Sequence, residues 1–374
     1  MAGIYIHIPF CKKACHYCNF HFSTSSDDKE RMIQAIAQEL RLRKDEIKEP
    51  IQTIYFGGGT PSIVEPFQIE LLLQAIDKYY LVDGSPEITM EANPDDITKE
   101  HAEVWKSMGI NRFSIGIQSF SDIHLEWMNR AHNASQSLLC IDIIRSAGFE
   151  NFSIDLIYGT PGQSTNDWER DLEKAISLKI PHLSCYALTV EEQTPLFHLI
   201  ERGKKEKINS DLQAEQFNIL VDMTLAAGYN HYEISNVALP GMKSKHNSAY
   251  WNGVPYLGVG PSAHSFQNNT RSWNISNNIS YVQSIENQIR PFEAEILTQK
   301  DQLNEYIMTK LRLDEGMNEN DIINTWGDDQ LSRITNLINK FIQEEKVEKT
   351  QEGWRLTKDG KFFADGIASA LFQV

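Results

Sequence analysis

The stretch Tyr5-Ile-His-Ile-Pro-Phe-Cys11-Lys-Lys-Ala-Cys15-His-Tyr-Cys18-Asn-Phe20 holds three of the five cysteines of the chain within eight residues. It begins with an alternating apolar run, which predicts a short β-strand, and continues into a C-x-x-x-C-x-x-C loop. A short loop brings the three thiols to one point, and thiolates are soft ligands. The pattern therefore predicts a site for zinc or for an iron-sulfur cluster.

The spacing of the cysteines leaves both kinds of metal site open. A closed zinc site needs a fourth ligand, which His7, His16 or His21 would supply. A four-iron cluster ordinarily takes four cysteines, so three cysteines leave one iron with an exchangeable position. Such a position indicates chemistry or ligand exchange rather than a purely structural role.

The cysteine loop resembles that of the radical S-adenosylmethionine (SAM) proteins, in which three cysteines bind a 4Fe-4S cluster and SAM chelates the fourth iron. The longer string Y-x-H-I-P-F-C-x-x-x-C-x-Y-C resembles one branch of that superfamily. This branch contains the oxygen-independent coproporphyrinogen III oxidases and the HemW heme chaperones. The resemblance extends to about residue 265 and implies that Cys11, Cys15 and Cys18 bind a 4Fe-4S cluster.

The bulk composition is that of a large globular protein. A chain of 374 residues with 41% hydrophobic residues is long enough for a large α/β domain and an addition. It has no apolar run of membrane-spanning length and a strand directly after Met1, so we expect a cytoplasmic protein that is not integral to a membrane. The net charge of −16 argues against nucleic-acid binding. It is compatible with transient docking of a local basic patch on a membrane-bound partner.

The first half of the chain alternates between strand-like and helix-like segments. Strands are predicted before Cys11 and at 51–56, 87–91, 112–117, 152–158 and 182–188, and most are followed by a helix. This alternation predicts an α/β fold with a parallel sheet covered by helices. Periodicity does not separate an open sheet from a curved barrel, whereas the resemblance implies an incomplete (β/α)6 radical SAM barrel.

Functional groups of a parallel barrel gather at the carboxyl ends of its strands, and several residues there match SAM-site positions of the family. Taken singly, each match has an ordinary alternative: Glu91 or Asp155 would cap a helix and Arg130 would lie in solvent. Whether the chain binds one SAM or two is left open. The SAM contacts implied by the resemblance are Tyr5, Tyr17, Gly58, Gly59, Thr60, Glu91, Gln118, Arg130, Asp155 and Ala187.

The segment 228–265 is irregular and rich in His, Tyr, Trp and Gly, a composition suited to a flat aromatic ligand. His246 is the natural candidate for an axial heme ligand. Spacing alone favours a polar turn at His246, with Tyr250 and Trp251 in the core. The string His246-Asn-Ser-Ala-Tyr-Trp251, however, resembles the H-N-x-x-Y-W motif associated with heme binding in the HemW proteins, which implies that His246 binds heme.

Two features depart from the oxidase pattern. Phe20 stands where the oxidases carry a further cysteine, and Tyr5 lies nearly at the start of the chain, where the oxidases have an N-terminal extension. The resemblance therefore implies a chaperone that binds heme and transfers it to acceptor proteins, and we expect no coproporphyrinogen oxidase activity. The oxidase is the alternative hypothesis, and a zinc-stabilised binding protein is the third.

Beyond about residue 290, the sequence shows a different order of predicted helices and strands. Helical patterns near 300–312, 318–326 and 330–345 precede a hairpin at 347–350 and 354–357 and a final helix from Lys358. This order resembles a winged-helix unit, for which we expect a lid or partner-docking role. We therefore place a radical SAM barrel with the heme motif in residues 1–278 and a small C-terminal α+β, winged-helix-like domain in residues 279–374. Cys140 and Cys185 lie in apolar runs and are expected to be buried small residues.

Overall fold

The computed structural model describes residues 1–25 and 27–373. Its first half alternates strands with helices as the sequence predicted, and each strand pairs in parallel with the next one along the chain. These elements are β1 (Ala2–Ile8), α1 (Lys29–Leu42), β2 (Ile51–Gly58), α2 (Pro66–Tyr79), β3 (Val82–Ala92), α3 (Lys99–Ser107), β4 (Arg112–Gln118), α4 (Asp122–Trp127), α5 (Ala134–Ser146), β5 (Phe152–Tyr158), α6 (Thr165–Ser177) and β6 (His182–Ala187).

The middle of the chain adds strands to both edges of this parallel sheet. Sequence analysis described the segment 228–265 as irregular, but it contains three complete strands, the start of a fourth and a helix. The elements that follow β6 are α7 (Pro195–Glu201), α8 (Ser210–Ala226), β7 (Asn230–Glu233), β8 (Asn236–Ala238), α9 (Lys245–Trp251), β9 (Tyr256–Val259), β10 (His264–Gln267), β11 (Thr270–Asn274), α10 (Asn278–Glu286) and β12 (Phe292–Ile296).

The resulting sheet has the order β12-β11-β10-β9-β1-β2-β3-β4-β5-β6-β8-β7. Strand β9 pairs in parallel with β1 and β8 pairs antiparallel with β6, so the two ends of the sheet do not meet. The strands β1 and β4 are buried along almost their whole length, as expected for a parallel sheet covered by helices. The predicted incomplete barrel is confirmed.

The end of the chain forms a second unit with its own buried cluster, from Leu303 to Leu371. A three-stranded antiparallel sheet, β13-β15-β14, packs on its helices in a winged-helix-like arrangement, as predicted. The predicted final helix is divided in two. The elements are α11 (Gln299–Arg312), β13 (Met317–Asn318), α12 (Glu319–Trp326), α13 (Asp328–Gln343), β14 (Val347–Lys349), β15 (Gly353–Leu356), α14 (Lys358–Lys361) and α15 (Ala364–Leu371).

The buried carboxylate of Glu39 connects residues of β11 and α10 with the first helix of the barrel, α1. Glu39 on α1 is fully buried and accepts hydrogen bonds from Arg43 (2.9 Å), the Tyr281 hydroxyl (2.5 Å) and the amide of Asn274 (2.8 Å). Tyr281 belongs to α10, so this helix packs with the barrel core. The domain boundary after residue 278 remains a prediction.

The other two cysteines agree with the sequence analysis. Cys140 and Cys185 are buried, 1% and 2% exposed, in α5 and β6. No helix in the described part of the chain is both long and apolar enough to cross a membrane.

Candidate cofactor and ligand site

A cavity of about 610 Å³ opens where the parallel strands end, and the thiols of Cys11, Cys15 and Cys18 all line it. The cysteine loop follows β1 and is pinned at its start, since the Cys11 amide donates to the carbonyl of Ser23 (3.0 Å). The strand-end glycine Gly59 faces the same loop, and a side chain there would meet the Phe10 backbone at 2.5 Å. The glycine therefore permits close approach of β2 to the cysteine loop.

The three histidines considered as zinc ligands have other partners. His7 Nε2 lies 2.8 Å from the His21 carbonyl oxygen, His16 Nδ1 lies 3.1 Å from the Trp127 carbonyl oxygen, and His21 Nε2 lies 2.7 Å from Asn278 Oδ1. Among residues 1–25 and 27–373, no three His, Cys, Asp or Glu side chains converge on a single-ion site. A four-iron cluster binds each thiolate through a different iron. Three separated thiols in one cavity therefore fit a cluster.

Polar groups next to the thiols favour their ionised form. The Thr60 hydroxyl donates to Cys11 Sγ (3.4 Å), and Arg130 Nη1 donates to Cys15 Sγ (3.3 Å). Burial acts in the opposite direction and raises the pKa of Cys11 and of Cys18 to about 11. A bound metal deprotonates coordinating thiols outright, which would overcome the effect of burial on Cys11 and Cys18.

Arg130 is held inside the site rather than in solvent. It follows α4, not a strand, and its Nη2 donates to Asn93 Oδ1 (2.6 Å) and to the Gly116 carbonyl oxygen (2.8 Å). Its Nη1 also lies 3.4 Å from the Tyr17 hydroxyl. Within the described residues the buried Arg130 Nε has no hydrogen-bond partner. The guanidinium thus connects the cysteine loop to β4 and keeps one donor available.

The two acidic residues point into the barrel and neither of them caps a helix. Glu91 near the end of β3 accepts a hydrogen bond from the Tyr55 hydroxyl (2.8 Å), and burial raises its pKa to about 8. Asp155 lies in the middle of β5, not at its end, and accepts from the Ser114 hydroxyl (3.2 Å); burial raises its pKa to about 6. Gln118 closes β4 with a φ of +66°, an unusual conformation for a side chain other than glycine.

Most of the residues matched to the SAM site lie together in this cavity. Tyr5 is the exception, because it lines a neighbouring cavity, while Glu91 lines both. Sequence reasoning missed Tyr55 and Asn93, which carry no motif of their own. The predicted residues that line the cysteine cavity are Tyr17, Gly58, Gly59, Thr60, Glu91, Gln118, Arg130, Asp155 and Ala187.

The neighbouring cavity, of about 520 Å³, contains His246. Tyr55 and Glu91 line both cavities and so form part of a shared wall. The cavity is rich in aromatic and imidazole groups, including Tyr5, Tyr250 and Tyr256. We name the first space the cysteine cavity and the second the histidine cavity.

His246 is the second residue of α9 and is 2% exposed, so the polar-turn interpretation is wrong. The Glu87 carboxylate accepts hydrogen bonds from the backbone N–H groups of Lys245 (3.1 Å) and His246 (3.0 Å) and so anchors the start of α9. Both ring nitrogens have partners: Nδ1 lies 2.8 Å from Thr53 Oγ1 and Nε2 lies 2.9 Å from the Tyr250 hydroxyl. Burial lowers the pKa of His246 to about 3, so the imidazole is neutral.

Comparison with known proteins agrees with this arrangement. The profile of the Radical SAM superfamily matches residues 5–175, and that of the HemN C-terminal domain matches residues 297–363. The heme chaperone HemW of Bacillus subtilis is 31% identical over 99% of both chains, and that of Lactococcus lactis is 34% identical over 97% of both. The chain belongs to the HemW family. Members of this family share the radical SAM fold, for which a 4Fe-4S cluster and SAM are typical.

A solved structure extends the likeness in fold to the whole chain. The structure of coproporphyrinogen III oxidase (HemN) from Escherichia coli, a radical SAM enzyme, superimposes with a TM-score of 0.87. It covers 100% of this chain and 90% of the oxidase, at 20% sequence identity. At that identity the likeness shows a common fold for the HemW family and the oxidase.

Proposed function

We propose that this chain is a heme chaperone that binds heme through His246 and passes it to an acceptor protein. The observation that carries the proposal is the position of His246, a neutral and buried imidazole in an aromatic-lined cavity. Neutral imidazole is the form that binds iron. Membership of the HemW family supports the same function, since the named relatives are heme chaperones.

Both ring nitrogens of His246 are hydrogen-bonded before any heme binds. Burial raises the pKa of Tyr250 well above its usual value, so its phenol stays protonated, and its hydroxyl lies 2.9 Å from Nε2. We assign this hydroxyl as the donor to Nε2 and the ring proton to Nδ1, which then donates to Thr53 Oγ1. A metal-bound histidine usually donates its other ring N–H in this way. Heme binding at Nε2 then requires displacement of the Tyr250 hydroxyl.

The cysteine cavity would hold the resident cofactors. We propose that Cys11, Cys15 and Cys18 bind a 4Fe-4S cluster and that the strand-end residues around them contact SAM. When bound, the cluster supplies an iron with an exchangeable position for SAM and a centre for electron transfer. Thr60 and Arg130 donate to the thiolates, and Arg130 is itself oriented by Asn93 Oδ1 at 2.6 Å.

A heme titration of cluster-loaded protein, followed by absorption, tests the proposal. We expect saturable binding by the native protein and at least tenfold weaker binding, with an altered Soret band, in His246→Ala. His198→Ala is the matched control, because His198 is exposed on α7 and should leave binding unchanged. Absence of saturable binding by the native protein would refute the heme function. Unchanged binding in His246→Ala would show that the heme site lies elsewhere in the protein.

Oxidase activity has less support. The likeness to the Escherichia coli oxidase shows the fold alone, and Phe20, which stands where the oxidases have a cysteine, is 66% exposed beside the cysteine loop. We expect no conversion of coproporphyrinogen in an anaerobic assay with SAM and a reductant. Clear turnover in that assay would refute the chaperone proposal and support oxidase activity.

A further inference from the structure

The helix α9, which carries the proposed heme ligand, is held at both ends. At its start, the Glu87 carboxylate of β3 accepts hydrogen bonds from two backbone N–H groups (3.1 and 3.0 Å). At its end, two cationic side chains of α11 contact it. Lys310 Nζ donates to Asn252 Oδ1 (2.9 Å). The guanidinium carbon of Arg312 lies 5.3 Å from the centre of the Trp251 ring. The helix α9 therefore bridges the barrel and the C-terminal unit.

Arg312 is held in place by the barrel as well as by its own unit. Its backbone carbonyl accepts a hydrogen bond from the amide of Ile234 (3.1 Å), and its side chain forms an ion pair with Asp365 (2.8 Å). Burial raises the pKa of the Glu233 carboxyl on β7, and the charge of Arg312 acts in the opposite direction. Arg312 also lines the cysteine cavity, together with Lys361 at the end of α14. A side chain with these restraints gives firm support to the aromatic ring that it contacts.

The two cations also suit the electrostatics of this end of α9. The carboxyl end of a helix carries a partial negative charge, which cations stabilise. The last turn of α9 has no basic residue of its own, so Lys310 and Arg312 supply the positive charge from the C-terminal unit. A guanidinium near the Trp251 ring adds a cation–π attraction. These contacts stabilise the second turn of α9 in its present orientation.

The second turn of α9 contains Tyr250, whose hydroxyl lies 2.9 Å from His246 Nε2. The Tyr250 ring is confined, because its centre lies 4.8 Å from that of His246 and 4.5 Å from that of Tyr256. A ring packed between two others has little room to rotate about its own bonds. Movement of the hydroxyl away from Nε2 therefore involves a shift of the helix turn. The contacts of Trp251 and Asn252 with the C-terminal unit oppose that shift.

We propose that Lys310 and Arg312 are positioning residues for the heme ligand, which hold the second turn of α9 so that the Tyr250 hydroxyl covers His246 Nε2. The inference rests on the proposed heme function and adds the role of the C-terminal unit in it. In the ligand-free protein, this unit stabilises the covered state of the imidazole. Heme binding has to overcome these contacts, so the C-terminal unit lowers the affinity for heme and its release from α9 raises that affinity.

Titrations of cluster-loaded protein with hemin, without added SAM and followed by absorption, test the inference. Lys310→Ala and Arg312→Gln each remove one contact with α9. We expect each to raise the affinity for hemin about two- to fivefold, as one cation–π contact or hydrogen bond allows. Arg312→Lys keeps the positive charge and should stay closer to the native affinity than Arg312→Gln. Lys358→Gln is the matched control, because Lys358 connects the same unit to Asp222 of α8 and not to α9; its affinity should stay within about twofold of the native value.

The Tyr250→Phe background distinguishes a positioning role from a general structural one. Without the hydroxyl, the contacts with α9 have no competitor to hold over Nε2. Lys310→Ala should therefore add little to the affinity for hemin in Tyr250→Phe, so that the two effects are not additive. An equal gain in both backgrounds would show that Lys310 acts independently of Tyr250 and would overturn the inference.

The outcomes separate the positioning role from the heme function itself. No hemin binding by the native protein would refute the heme function and the inference with it. Hemin binding that depends on His246, with unchanged or weaker binding in Lys310→Ala and Arg312→Gln, would overturn the positioning role and leave the heme function intact. Lys310→Ala decides the question if Arg312→Gln does not fold, because it removes only an exposed hydrogen bond.

Discussion

Removal of the Tyr250 hydroxyl gives the sharpest prediction, because it should strengthen heme binding while most substitutions weaken it. In the ligand-free protein, that hydroxyl lies 2.9 Å from His246 Nε2, the atom that we propose binds iron, and with the ring proton assigned to Nδ1 it donates to that atom. Heme and Tyr250 therefore compete for one lone pair. The substitution Tyr250→Phe removes the competitor and preserves the ring that packs against His246 at 4.8 Å.

The size of the effect follows from the hydrogen bond. A buried hydrogen bond contributes about 1 kcal/mol net, and an unsatisfied buried acceptor costs about 1–3 kcal/mol. In Tyr250→Phe this cost is present only before heme binds, since iron then occupies the His246 lone pair. We therefore expect an increase in heme affinity of about fivefold or more. Ligand-free Tyr250→Phe should lose about 1–3 kcal/mol of unfolding free energy for the same reason.

Heme titrations of native protein, Tyr250→Phe and Tyr256→Phe measure this difference. Tyr256 packs against Tyr250 with ring centres 4.5 Å apart, but no hydrogen bond connects it to His246 in the described structure. Its substitution should leave heme affinity within about twofold of the native value. Weaker heme binding in Tyr250→Phe, with normal folding, would refute the competition and show that the hydroxyl supports the bound state.

Three further predictions concern the cluster, the pH dependence and the fold. Cys15→Ser should lose the brown absorption of anaerobically reconstituted protein, and Cys140→Ser should keep it. Loss in both variants would show that the absorption disappears through general unfolding and not through removal of a cluster ligand. Burial raises the pKa of Glu91 from 4.5 to about 8, so its ionisation should cost ligand-free protein a few kcal/mol of stability as the pH rises from 4.5 to 8. Glu91→Gln should flatten that dependence in denaturant titrations, and an equally steep profile would contradict the assignment. Glu39→Ala removes the buried carboxylate that Arg43, Tyr281 and Asn274 share and should lower the unfolding free energy by about 3–5 kcal/mol, whereas Glu30→Ala, exposed on the same helix, should change it by under about 0.5 kcal/mol; equal effects would refute the role of the buried network.

The barrel strands could be predicted from sequence because most of their residues are buried, on both faces of the sheet. Such strands form continuous apolar runs, and glycine, proline or a polar residue marks their ends, as in β2 before Gly59. The later strands lack this signal. Strand β8 has three residues and β9 has four. Strands this short owe their pairing to the edges of a sheet that already exists, and this tertiary information is not present in a local pattern.

The site residues likewise divide into those that a sequence pattern indicates and those that it does not. Cysteines, glycines and strand-end carboxylates carried motifs that placed them in one cavity, and Asp155 differed only in its position along β5. Tyr55 was missed because a tyrosine within an apolar strand has the pattern of a core residue. Arg312 and Lys361 were missed because charged residues near helix ends ordinarily lie in solvent. Only the packing of the C-terminal unit against the barrel brings them to the cavity.

The shared wall between the two cavities has a consequence for heme transfer. Tyr55 donates to Glu91 at 2.8 Å, and its ring stacks on His246 with ring centres 4.9 Å apart. On the proposed function, a change at Glu91 when SAM binds therefore reaches the heme ligand through a single side chain. Coupling between two binding sites is reciprocal, so SAM that weakens heme binding must itself bind less tightly to heme-loaded protein.

A carrier has to release its cargo, and such coupling would make release respond to SAM occupancy. Tyr55→Phe removes the hydrogen bond but not the ring, so it should reduce the effect of SAM on heme affinity while leaving heme affinity without SAM nearly unchanged. An undiminished SAM effect in Tyr55→Phe would assign the coupling to another part of the wall.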